Sequence, residues 1–388
     1  MGERPIKIAI VAGEPSGDLL GAGLIAALNE GLGNVTFVGI GGAQMQSQGF
    51  HSFFPMDYLS VMGITDVLKR YLPLLFLRKR LIRELTMNPP DVFIGIDYAG
   101  FNLVVEKKLK KQGIKTIHYV SPKLWAWRQK RVYKVKEAVD LILTLFPFEK
   151  TFYQRYGVPV SFVGHPLADM IDPQVDKKRL REQAGYADSD TLVTLLPGSR
   201  LGELRYLGPL YLDVMKQLSL KRPDLIFIVP LATSKAMALF EAQWRASGYL
   251  HLNIKLQQGG AREAMALANA VLVKSGTGIL EAMLLKCNMV VAYKWSALSH
   301  LIIAPQLKIN YIALPNLLAN EALVPEFIQK QAKPEAISQC LLELLAKGDA
   351  PARVMEKFER LHQQLKQDAN SKAAMAVIKL LQAAPSSA

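Results

Sequence analysis

The sequence is poor in cysteine and has no long apolar run, and both absences narrow its class. Cys287 and Cys340 are the only cysteines in 388 residues, and they are not at metal-ligand spacing. A disulfide framework is therefore excluded, and a reducing compartment fits best. The longest apolar runs, such as LPLLFL at 72–77, fall far short of the ~20 residues that a membrane-spanning helix needs. We expect a chain that does not cross a membrane.

Signals for export and for several enzyme classes are also missing. The first residues, MGERPIKIAIVAGE, lead into a strand-like run without the apolar region and cleavage site of a secretory signal, so we expect a cytoplasmic protein. No cluster of histidines and acids has metal-ligand spacing, and no G-x-S-x-G motif occurs. The sequence therefore predicts no metal, no cofactor and no serine nucleophile.

Acidic residues are scarce in one part of the chain. The whole sequence has 47 basic and 33 acidic residues, but residues 67–136 alone have 17 Lys/Arg against 4 Asp/Glu. A positive charge concentrated in this way indicates a face for an anionic partner. Phospholipid headgroups, nucleic acid and a phosphorylated substrate all remain possible partners at this point.

Strand-like runs alternate with amphipathic helical stretches, which is typical of parallel βα units. A first series has runs at 7–12, 35–40, 91–97, 115–120 and 141–146, and a second has runs at 191–198, 225–232, 270–276 and 288–294. The sequence thus predicts an α/β fold with two Rossmann-like doubly wound domains that face a cleft, followed by C-terminal helices.

Proline and acidic turn residues at 164–178 mark a linker between the two series. We therefore predict a first domain at 1–170, a second at 171–352, and a helical segment at 353–388 that packs back across the domains. Ligands of doubly wound folds bind beyond the carboxyl ends of the strands, so the functional motifs should follow strands.

The first strand ends in AGEPSGDLLGAGL at 12–24. A glycine-bearing turn before a helix offers backbone N–H groups to a phosphate or a sugar hydroxyl, although this one is neither G-x-G-x-x-G nor a Walker loop. Capping of the helix by Ser16 or Asp18 is an equally good interpretation.

Two further turns of this kind occur in the second domain. LLPGSR at 195–200 places Arg200 after a strand, where a guanidinium can bind a diphosphate with two hydrogen bonds. VKSGTGILEAM at 273–283 offers backbone amides at the start of a helix, with Glu281 one turn inside to reach a ribose. Each turn alone fits a capped helix, but the two together favour a nucleotide diphosphate.

Three polar residues at strand ends or in strands remain open to two interpretations. Asp97 closes the run DVFIGID, where a carboxylate can act as a general base or cap the next turn. His118 lies mid-strand and is more typical of a satisfied core histidine than of a ligand. His165, between Gly164 and Pro166, is less easily assigned to the core.

The stretch VLKRYLPLLFLRKRLIR at 67–83 is apolar and basic. It includes apolar residues at helical spacing, which is usual for a core-facing stripe, with Pro73 expected to kink or end the helix. Its run LPLLFL, however, is apolar on all sides and meets a basic cluster, which indicates an interfacial element on anionic lipid. The residues predicted to face the membrane are Val67, Leu68, Tyr71, Leu74, Leu75, Arg78, Lys79 and Arg80.

Nine segments, in order along the chain, resemble the bacterial lipid-A-disaccharide synthases, glycosyltransferases of the GT-B architecture. The most specific is KKQGIKTIHYVSPKLWAWRQKR at 110–131. The others are VAGEPSGDLLGAGLI (11–25), VMGITDVL (61–68), DVFIGID (91–97), LFPFEK (145–150), FVGHPLAD (162–169), LLPGSR (195–200), SGTGILEAML (275–284) and LPNLLA (314–319).

The resemblance implies a reaction. UDP-2,3-diacylglucosamine would donate its sugar to the 6-hydroxyl of 2,3-diacylglucosamine 1-phosphate with inversion, giving the β-1,6-linked lipid A disaccharide 1-phosphate and UDP. Both substrates are lipids of the inner leaflet, so the resemblance also implies peripheral binding to the anionic phospholipid of the inner membrane, on its cytoplasmic side. Nucleic acid is not an expected partner.

The resemblance further implies roles for individual residues. Asp97 would be the base on the acceptor hydroxyl, and Arg200 would contact the diphosphate and, with a helix start, stabilise the leaving group without a metal. The acceptor-side residues would be Glu14, Ser16 and Gly17. The donor-side residues would be Gly198, Ser199, Arg200, Ser275, Gly276, Thr277, Gly278, Glu281 and Asn316.

The sequence departs from the family pattern at three places. Gly100 replaces the second acid of ID-x-PDFN, the residues 320–322 replace a Gly-Arg-Glu, and Pro15 stands where a small or hydroxyl residue is usual. Other hypotheses are a UDP-N-acetylglucosamine transferase acting on a polyprenyl lipid, a UDP-sugar epimerase, and a catalytically silent relative that docks on membranes. A nucleic-acid binder with Trp125, Trp127 and Tyr133 as stacking groups is the alternative of another class.

Overall fold

The computed structural model describes residues 4–59, 64–172, 176–294, 304–348 and 351–383, and for 64–71 only the backbone. The chain forms two compact units. The first unit comprises Met1–Asp169 and Leu365–Ala388, and the second comprises Met170–Gln364.

Each unit is built on one parallel β-sheet. The strands of the first sheet are β1 (Ile6–Ala12), β2 (Val35–Ile40), β3 (His51–Ser52), β4 (Val92–Ile96), β5 (Lys115–Tyr119), β6 (Leu141–Thr144) and β7 (Val160–Phe162). Those of the second are β8 (Leu192–Leu196), β9 (Ile226–Leu231), β10 (Ile254–Gln258), β11 (Ala270–Val273), β12 (Met289–Tyr293) and β13 (Glu326–Ile328). The spatial orders are β3-β2-β1-β4-β5-β6-β7 and β10-β9-β8-β11-β12-β13.

Helices connect and cover the strands. In chain order they are α1 (Pro15–Leu32), α2 (Ala43–Gln46), α3 (Ile64–Met87), α4 (Ala99–Lys110), α5 (Val132–Ala138), α6 (Pro147–Arg155), α7 (Pro166–Met170), α8 (Lys177–Gln183), α9 (Leu201–Lys221), α10 (Ser234–Ser247), α11 (Ala261–Leu267), α12 (Thr277–Leu284), α13 (Leu314–Ala319), α14 (Pro334–Lys347), α15 (Ala352–Leu365) and α16 (Ala369–Gln382).

The apolar strands form the core because helices pack on the sheet from both sides. All five residues of β4 are buried, and β1 is buried from Ile8 to Ala12. Side chains of successive residues point to opposite faces of a sheet, so a strand buried on both faces is apolar throughout. Ile8 and Ile10 belong to one apolar cluster, whereas Ala9 and Val11 belong to another.

Each sheet has a point where the strand order reverses. It lies between β1 and β4 in the first sheet and between β8 and β11 in the second, and both pairs are parallel. Loops leave the carboxyl ends of the two strands in opposite directions at such a point and open a crevice, which is the usual ligand site of this fold. The two reversals therefore locate one candidate site in each unit.

The last helix, α16, belongs to the first unit. Ala373, Ala374 and Val377 are buried in the same apolar cluster as Leu24 and Leu28 of α1. The carboxylate of Asp169 accepts hydrogen bonds from the backbone N–H groups of Asp368 and Ala369, at 2.9 and 2.7 Å. Asp169 thereby caps the N-terminus of α16.

The structure confirms the predicted α/β class and the two Rossmann-like folds, because every predicted strand run contains an observed strand. The predicted helical segment at 353–388 is divided, with nearly all of α15 in the second unit and α16 in the first. Pro73 does not end the predicted helix, because α3 continues through it from Ile64 to Met87.

Candidate active site

A cavity of about 260 Å³ lies at the carboxyl edge of the second sheet, at the reversal between β8 and β11. Apolar side chains from the ends of β8, β9 and β11 form part of its wall. Its lining residues are Leu196, Gly198, Ser199, Pro230, Leu231, Ala232, Gly259, Gly260, Ala261, Val273, Lys274, Thr277, Gly278 and Glu281. Five of the predicted donor-side residues, namely Gly198, Ser199, Thr277, Gly278 and Glu281, are thus brought together.

The turn after β8 is shaped by Gly198, whose φ of 137° is in the range that side chains rarely adopt. A Cβ at this position would lie 3.0 Å from the Cβ of Glu203 in the first turn of α9. Arg200 is the exposed N-cap residue of α9 and is not among the cavity-lining residues. Its positive charge lowers the pKa of Tyr293, whose net pKa shift is upward because burial and Glu203 outweigh Arg200.

The turn after β11 leads into α12, which begins at Thr277. Gly276 is the N-cap residue, and its carbonyl accepts a hydrogen bond from the N–H of Ile279 at 3.3 Å. The N–H groups of Thr277 and Gly278, the first two helical residues, have no carbonyl within the helix to which they can donate. These groups carry the positive end of the helix dipole, which suits an anion. Glu281 lies one turn further on, and its Oε1 accepts a hydrogen bond from Nη2 of Arg262 at 3.1 Å. Ser275 is half-buried beside this turn and does not line the cavity.

Asn316 lies outside the cavity and uses its whole side-chain amide within the chain. Its Nδ2 donates to the Val324 carbonyl at 2.8 Å and to Oε1 of Glu326 at 2.6 Å. Its Oδ1 accepts from the backbone N–H groups of Leu323 and Val324, each at 2.8 Å. Asn316 is 1% exposed, so the structure gives it the role of fixing the 320–324 loop to α13.

In the first unit, Asp97 is exposed directly after β4, at the reversal of strand order. Asp97 and Tyr98 have φ values of 49° and 44°, and Val120, which directly follows the neighbouring strand β5, has 79°. Such conformations are costly for residues with a Cβ, most of all for a β-branched one, and they occur preferentially at functional sites. The strained positions therefore mark the carboxyl ends of β4 and β5 as the candidate site of this unit.

The buried side-chain amide of Asn102 forms hydrogen bonds with the backbone of the strained turn. Nδ2 of Asn102, which is fully buried in α4, donates to the carbonyl of Asp97 at 2.9 Å, of Ile96 at 3.3 Å and of Val11 at 3.4 Å. These bonds tie the end of β1 to the end of β4, so Asn102 holds the backbone of the candidate base. Sequence reasoning missed this residue, although it stands at the asparagine of the family pattern ID-x-PDFN, where residues 96–102 read IDYAGFN.

A buried pair lies next to this amide. Nδ1 of His118 and Oε1 of Glu106 are 2.7 Å apart, and neither side chain is exposed. Burial raises the pKa of Glu106, and the nearby histidine offsets only part of that rise. The prediction that His118 is a core histidine agrees with its burial and with its partner.

The predicted acceptor-side residues follow β1. Glu14 is half-buried, Ser16 is exposed and Gly17 is buried. The charge of Glu14 contributes, after burial, to a raised pKa of Tyr98, which places the Glu14 carboxylate near the turn that carries Asp97. Asp18 caps α2 rather than its own helix, because its carboxylate accepts from the backbone N–H groups of residues 42, 44 and 45 at 2.7 to 3.2 Å.

Sequence reasoning also missed Glu149, which is buried near the end of β6. Its Oε2 accepts from the backbone N–H of Phe146 and its Oε1 accepts from Nε1 of Trp125, both at 3.1 Å. Burial raises the pKa of Glu149 to about 7, against the effect of these hydrogen bonds. Glu149 thus connects the first turn of α6 to the segment after β5 that carries Trp125, next to the strained Val120.

His165 is buried, and its Nδ1 accepts a hydrogen bond from the backbone N–H of Leu167 at 3.1 Å. Burial lowers its pKa to about 4. Its ring lies 5.7 Å from that of Phe146. His165 therefore caps α7 as a neutral side chain, and the structure assigns it to the core.

Helix α3 has one exposed face that is apolar in its middle and basic further on. Leu72 and Phe76 are 63% and 68% exposed. Lys79 and Arg83 are also exposed, three and seven residues after Phe76, which places them on the same face. No described helix has the length and apolarity to span a bilayer.

The opposite face of α3 packs on the first sheet through Leu81 and Leu85, which are fully buried. Leu74 packs against the same apolar cluster, so its predicted exposure to a membrane is corrected. Leu75 and Arg78 are half-buried, and Arg80 is exposed with its guanidinium 4.9 Å from the ring of Phe54. The side chains of Val67, Leu68 and Tyr71 lie outside the described residues.

The chain has close relatives of known name. A family model described as Lipid-A-disaccharide synthetase matches residues 8–380. Lipid-A-disaccharide synthase 2 of Legionella pneumophila (strain Lens) is 55% identical over 380 residues, which cover 98% of this chain and 98% of that protein.

Two solved structures share the fold. One is a UDP-GlcNAc 2-epimerase from Neisseria meningitidis bound to UDP-GlcNAc, with a TM-score of 0.65 at 12% identity. The matched region covers 97% of this chain and 99% of the epimerase chain. A glycosyltransferase from Rickettsia africae has a TM-score of 0.58 at 11% identity, with 98% of each chain covered. At such identities the likeness concerns the fold alone.

Proposed function

The chain belongs to the lipid-A-disaccharide synthetase family and is a glycosyltransferase of lipid A biosynthesis, and we propose its substrates and the roles of its residues. The donor is UDP-2,3-diacylglucosamine, and the acceptor is 2,3-diacylglucosamine 1-phosphate. The product is the β-1,6-linked disaccharide 1-phosphate, and UDP is released.

The observation that carries this proposal is the cavity at the reversal of the second sheet. It gathers two glycine-bearing turns, a helix start and a carboxylate, all of which the sequence had indicated separately. A nucleotide diphosphate requires these groups together, because its phosphates need N–H donors and its ribose needs a hydrogen-bond acceptor. The apolar wall formed by Pro230, Leu231 and Ala232 offers a surface for the base.

We assign the diphosphate to the start of α12 and to Arg200. The N–H groups of the first turn of α12 donate to phosphate oxygens, and the guanidinium adds a positive charge from the neighbouring loop. Glu281 accepts hydrogen bonds from the ribose hydroxyls through the oxygen that Arg262 does not occupy. Asn316 contributes indirectly by holding the 320–324 loop.

Asp97 is the general base of the proposed reaction. Its carboxylate removes the proton of the acceptor 6-hydroxyl while that oxygen forms a bond to the anomeric carbon of the donor. The bond from this carbon to the UDP oxygen breaks, and UDP leaves with its electron pair, so the anomeric configuration inverts. The strained turn supports this role, because an exposed carboxylate on a backbone fixed by Asn102 has a defined position.

The exposed face of α3 is the proposed contact with the membrane. Leu72 and Phe76 enter the acyl boundary of the inner leaflet, and Lys79, Arg80 and Arg83 contact anionic headgroups. The protein then works as a peripheral protein on the cytoplasmic side of the inner membrane, where both acylated substrates lie.

The activity test combines the purified protein with both acylated glucosamine substrates and measures disaccharide and UDP. We expect both products from the wild type. Asp97→Asn should reduce kcat by about 10²- to 10⁴-fold, the usual contribution of a general base. Glu137→Gln is the matched control, since Glu137 is an exposed carboxylate of the same unit, and it should retain wild-type activity. Full activity of Asp97→Asn would remove Asp97 from the mechanism.

A further inference from the structure

An ion pair lies across the two glycine-bearing turns of the second unit. Nζ of Lys274 is 3.0 Å from Oε1 of Glu203, and the two side chains are 17% and 18% exposed. Lys274 directly follows β11, and Glu203 is in the first turn of α9. The pair therefore connects the loops that follow β8 and β11, on the two sides of the reversal of strand order.

Both members of the pair lie directly against the glycines of these turns. A Cβ on Gly276 would lie 2.8 Å from Nζ of Lys274, and a Cβ on Gly198 would lie 3.0 Å from Oε2 of Glu203. Lys274 also lines the cavity. The ammonium group is thus close to the N-cap residue of α12, where the proposed function puts the diphosphate.

The hydrogen bonding of the pair is incomplete. Oε2 of Glu203 is buried, and it accepts no hydrogen bond from the described part of the chain. Lys274 has three N–H donors, and Oε1 of Glu203 is the acceptor that the structure records for them. An ammonium beside a cavity and a helix start can donate to a phosphate oxygen as well as to a carboxylate.

We propose that Lys274 is a further residue that binds the donor diphosphate and that Glu203 is its partner while no nucleotide is bound. Glu203 holds the ammonium group over Gly276 before the nucleotide binds, and the diphosphate then replaces the carboxylate as the main partner of Lys274. The carboxylate also repels a second anion, which favours release of UDP after transfer. This inference rests on the proposed function, since it requires a nucleotide diphosphate in this cavity.

A purely structural ion pair would tie the two loops without touching the ligand. The two roles differ in how UDP and uridine bind, because uridine has the base and the ribose but no phosphate. Loss of a phosphate contact weakens the binding of UDP alone, whereas distortion of the loops weakens the binding of both ligands.

The experiment measures the dissociation constants of UDP and uridine by calorimetry for the full chain and its variants. Lys274→Met should raise the dissociation constant of UDP by about 10- to 100-fold, which corresponds to the loss of one charged hydrogen bond. The dissociation constant of uridine should not change. Lys274→Arg should retain most of the affinity for UDP. Lys255→Met is the matched control, because this exposed lysine of the same sheet does not line the cavity.

Glu203→Gln provides an independent measurement on the other member of the pair. It should lower the dissociation constant of UDP by about two- to fivefold, as expected for removal of one partly exposed repulsive charge. The dissociation constant of uridine should again not change. If Lys274→Met weakened the binding of UDP and of uridine equally, or left UDP binding unchanged, this inference would be wrong and the proposed function would stand. A wild-type protein that binds neither ligand would overturn the proposed function, and this inference with it.

Discussion

At the scale of single residues, the proposed base Asp97 depends on Asn102, whose buried amide donates to the Asp97 carbonyl at 2.9 Å. Asp97 could be predicted because a carboxylate at the end of an apolar run faces the ligand edge of a parallel sheet. Asn102 could not, because its amide binds carbonyls of β1 and β4 that only the folded sheet brings together. Glu106, the buried partner of the predicted core histidine His118, was missed for the same reason, since the two residues belong to α4 and β5.

Glu149 provides a prediction that concerns pH. Burial raises its pKa from 4.5 to about 7, so the folded protein retains a proton that the unfolded chain loses above about 4.5. The stability that this proton contributes is complete below that pH and is lost as the pH rises through about 7. Glu149→Gln cannot ionise and lacks this dependence.

Urea unfolding of the wild type and of Glu149→Gln between pH 4.5 and 8 measures the effect. We expect the free energy of unfolding of the wild type to fall relative to that of the variant as the pH rises. The relative change should be at most about 3 kcal/mol, which corresponds to the pKa difference. Parallel curves would mean that Glu149 ionises in the folded state as it does in the unfolded chain.

At the scale of elements, the sequence reveals interior strands and hides edge strands. The runs that it indicates contain β1, β2, β4, β5, β6, β8, β9, β11 and β12, which all have a neighbour on each side. The four that it misses, β3, β7, β10 and β13, are the edges of the two sheets. Interior strands are covered on both faces and are continuously apolar. Edge strands are short or partly exposed, as in β7, where no residue is fully buried.

For helix α3 the sequence pattern correctly predicts a helix but does not correctly predict which of its residues are exposed. The composition of LPLLFL indicates an exposed apolar surface, but not which leucines form it, because all sides of the run are apolar. Packing on the first sheet decides this by burying Leu81 and Leu85 and by drawing Leu74 towards the same cluster. Leu72 and Phe76 are thereby left on the exposed side.

We expect Leu72→Ser combined with Phe76→Ser to weaken binding to vesicles that contain anionic phospholipid by about tenfold or more. Each exposed apolar side chain that enters the acyl boundary contributes on the order of 1 kcal/mol or more. Sedimentation with vesicles measures the bound fraction.

The matched control for α3 is Leu220→Ser combined with Met375→Ser, because both residues are exposed but lie on other helices. This control should sediment as the wild type does. Equal loss of binding in both double variants would point to general surface apolarity rather than to α3.

At the scale of the whole molecule, the division of the chain between its units is the feature that the sequence conceals most. The periodicity of the last 36 residues indicates helices, but not the partner of each helix. The structure places α16 in the first unit, where Asn370 and Ile378 fit against Gly23 and Gly31 of α1. These contacts join residues more than 300 positions apart, which no local pattern encodes.

A charge placed in the buried face of α16 should therefore destabilise the first unit selectively. Val377→Asp puts a carboxylate into the apolar cluster that includes β1 and α1, at a cost of about 3 kcal/mol or more. Hydrogen exchange should become faster in β1 and β4 and remain slow in β8 and β9. Met375→Asp, on the exposed side of the same helix, should leave both sheets protected; equal acceleration in both units by Val377→Asp would contradict the assignment of α16.

The position of α16 also has a consequence for biosynthesis. During translation the amino-terminal strands emerge from the ribosome long before the final helix, while the polypeptide of the second unit is complete as soon as Gln364 has emerged. Until the final helix emerges, the nascent first unit lacks the contacts that Ala373, Ala374 and Val377 make in its apolar cluster. The half that is synthesised first is consequently the half whose last native contacts become available only after the other half has been synthesised.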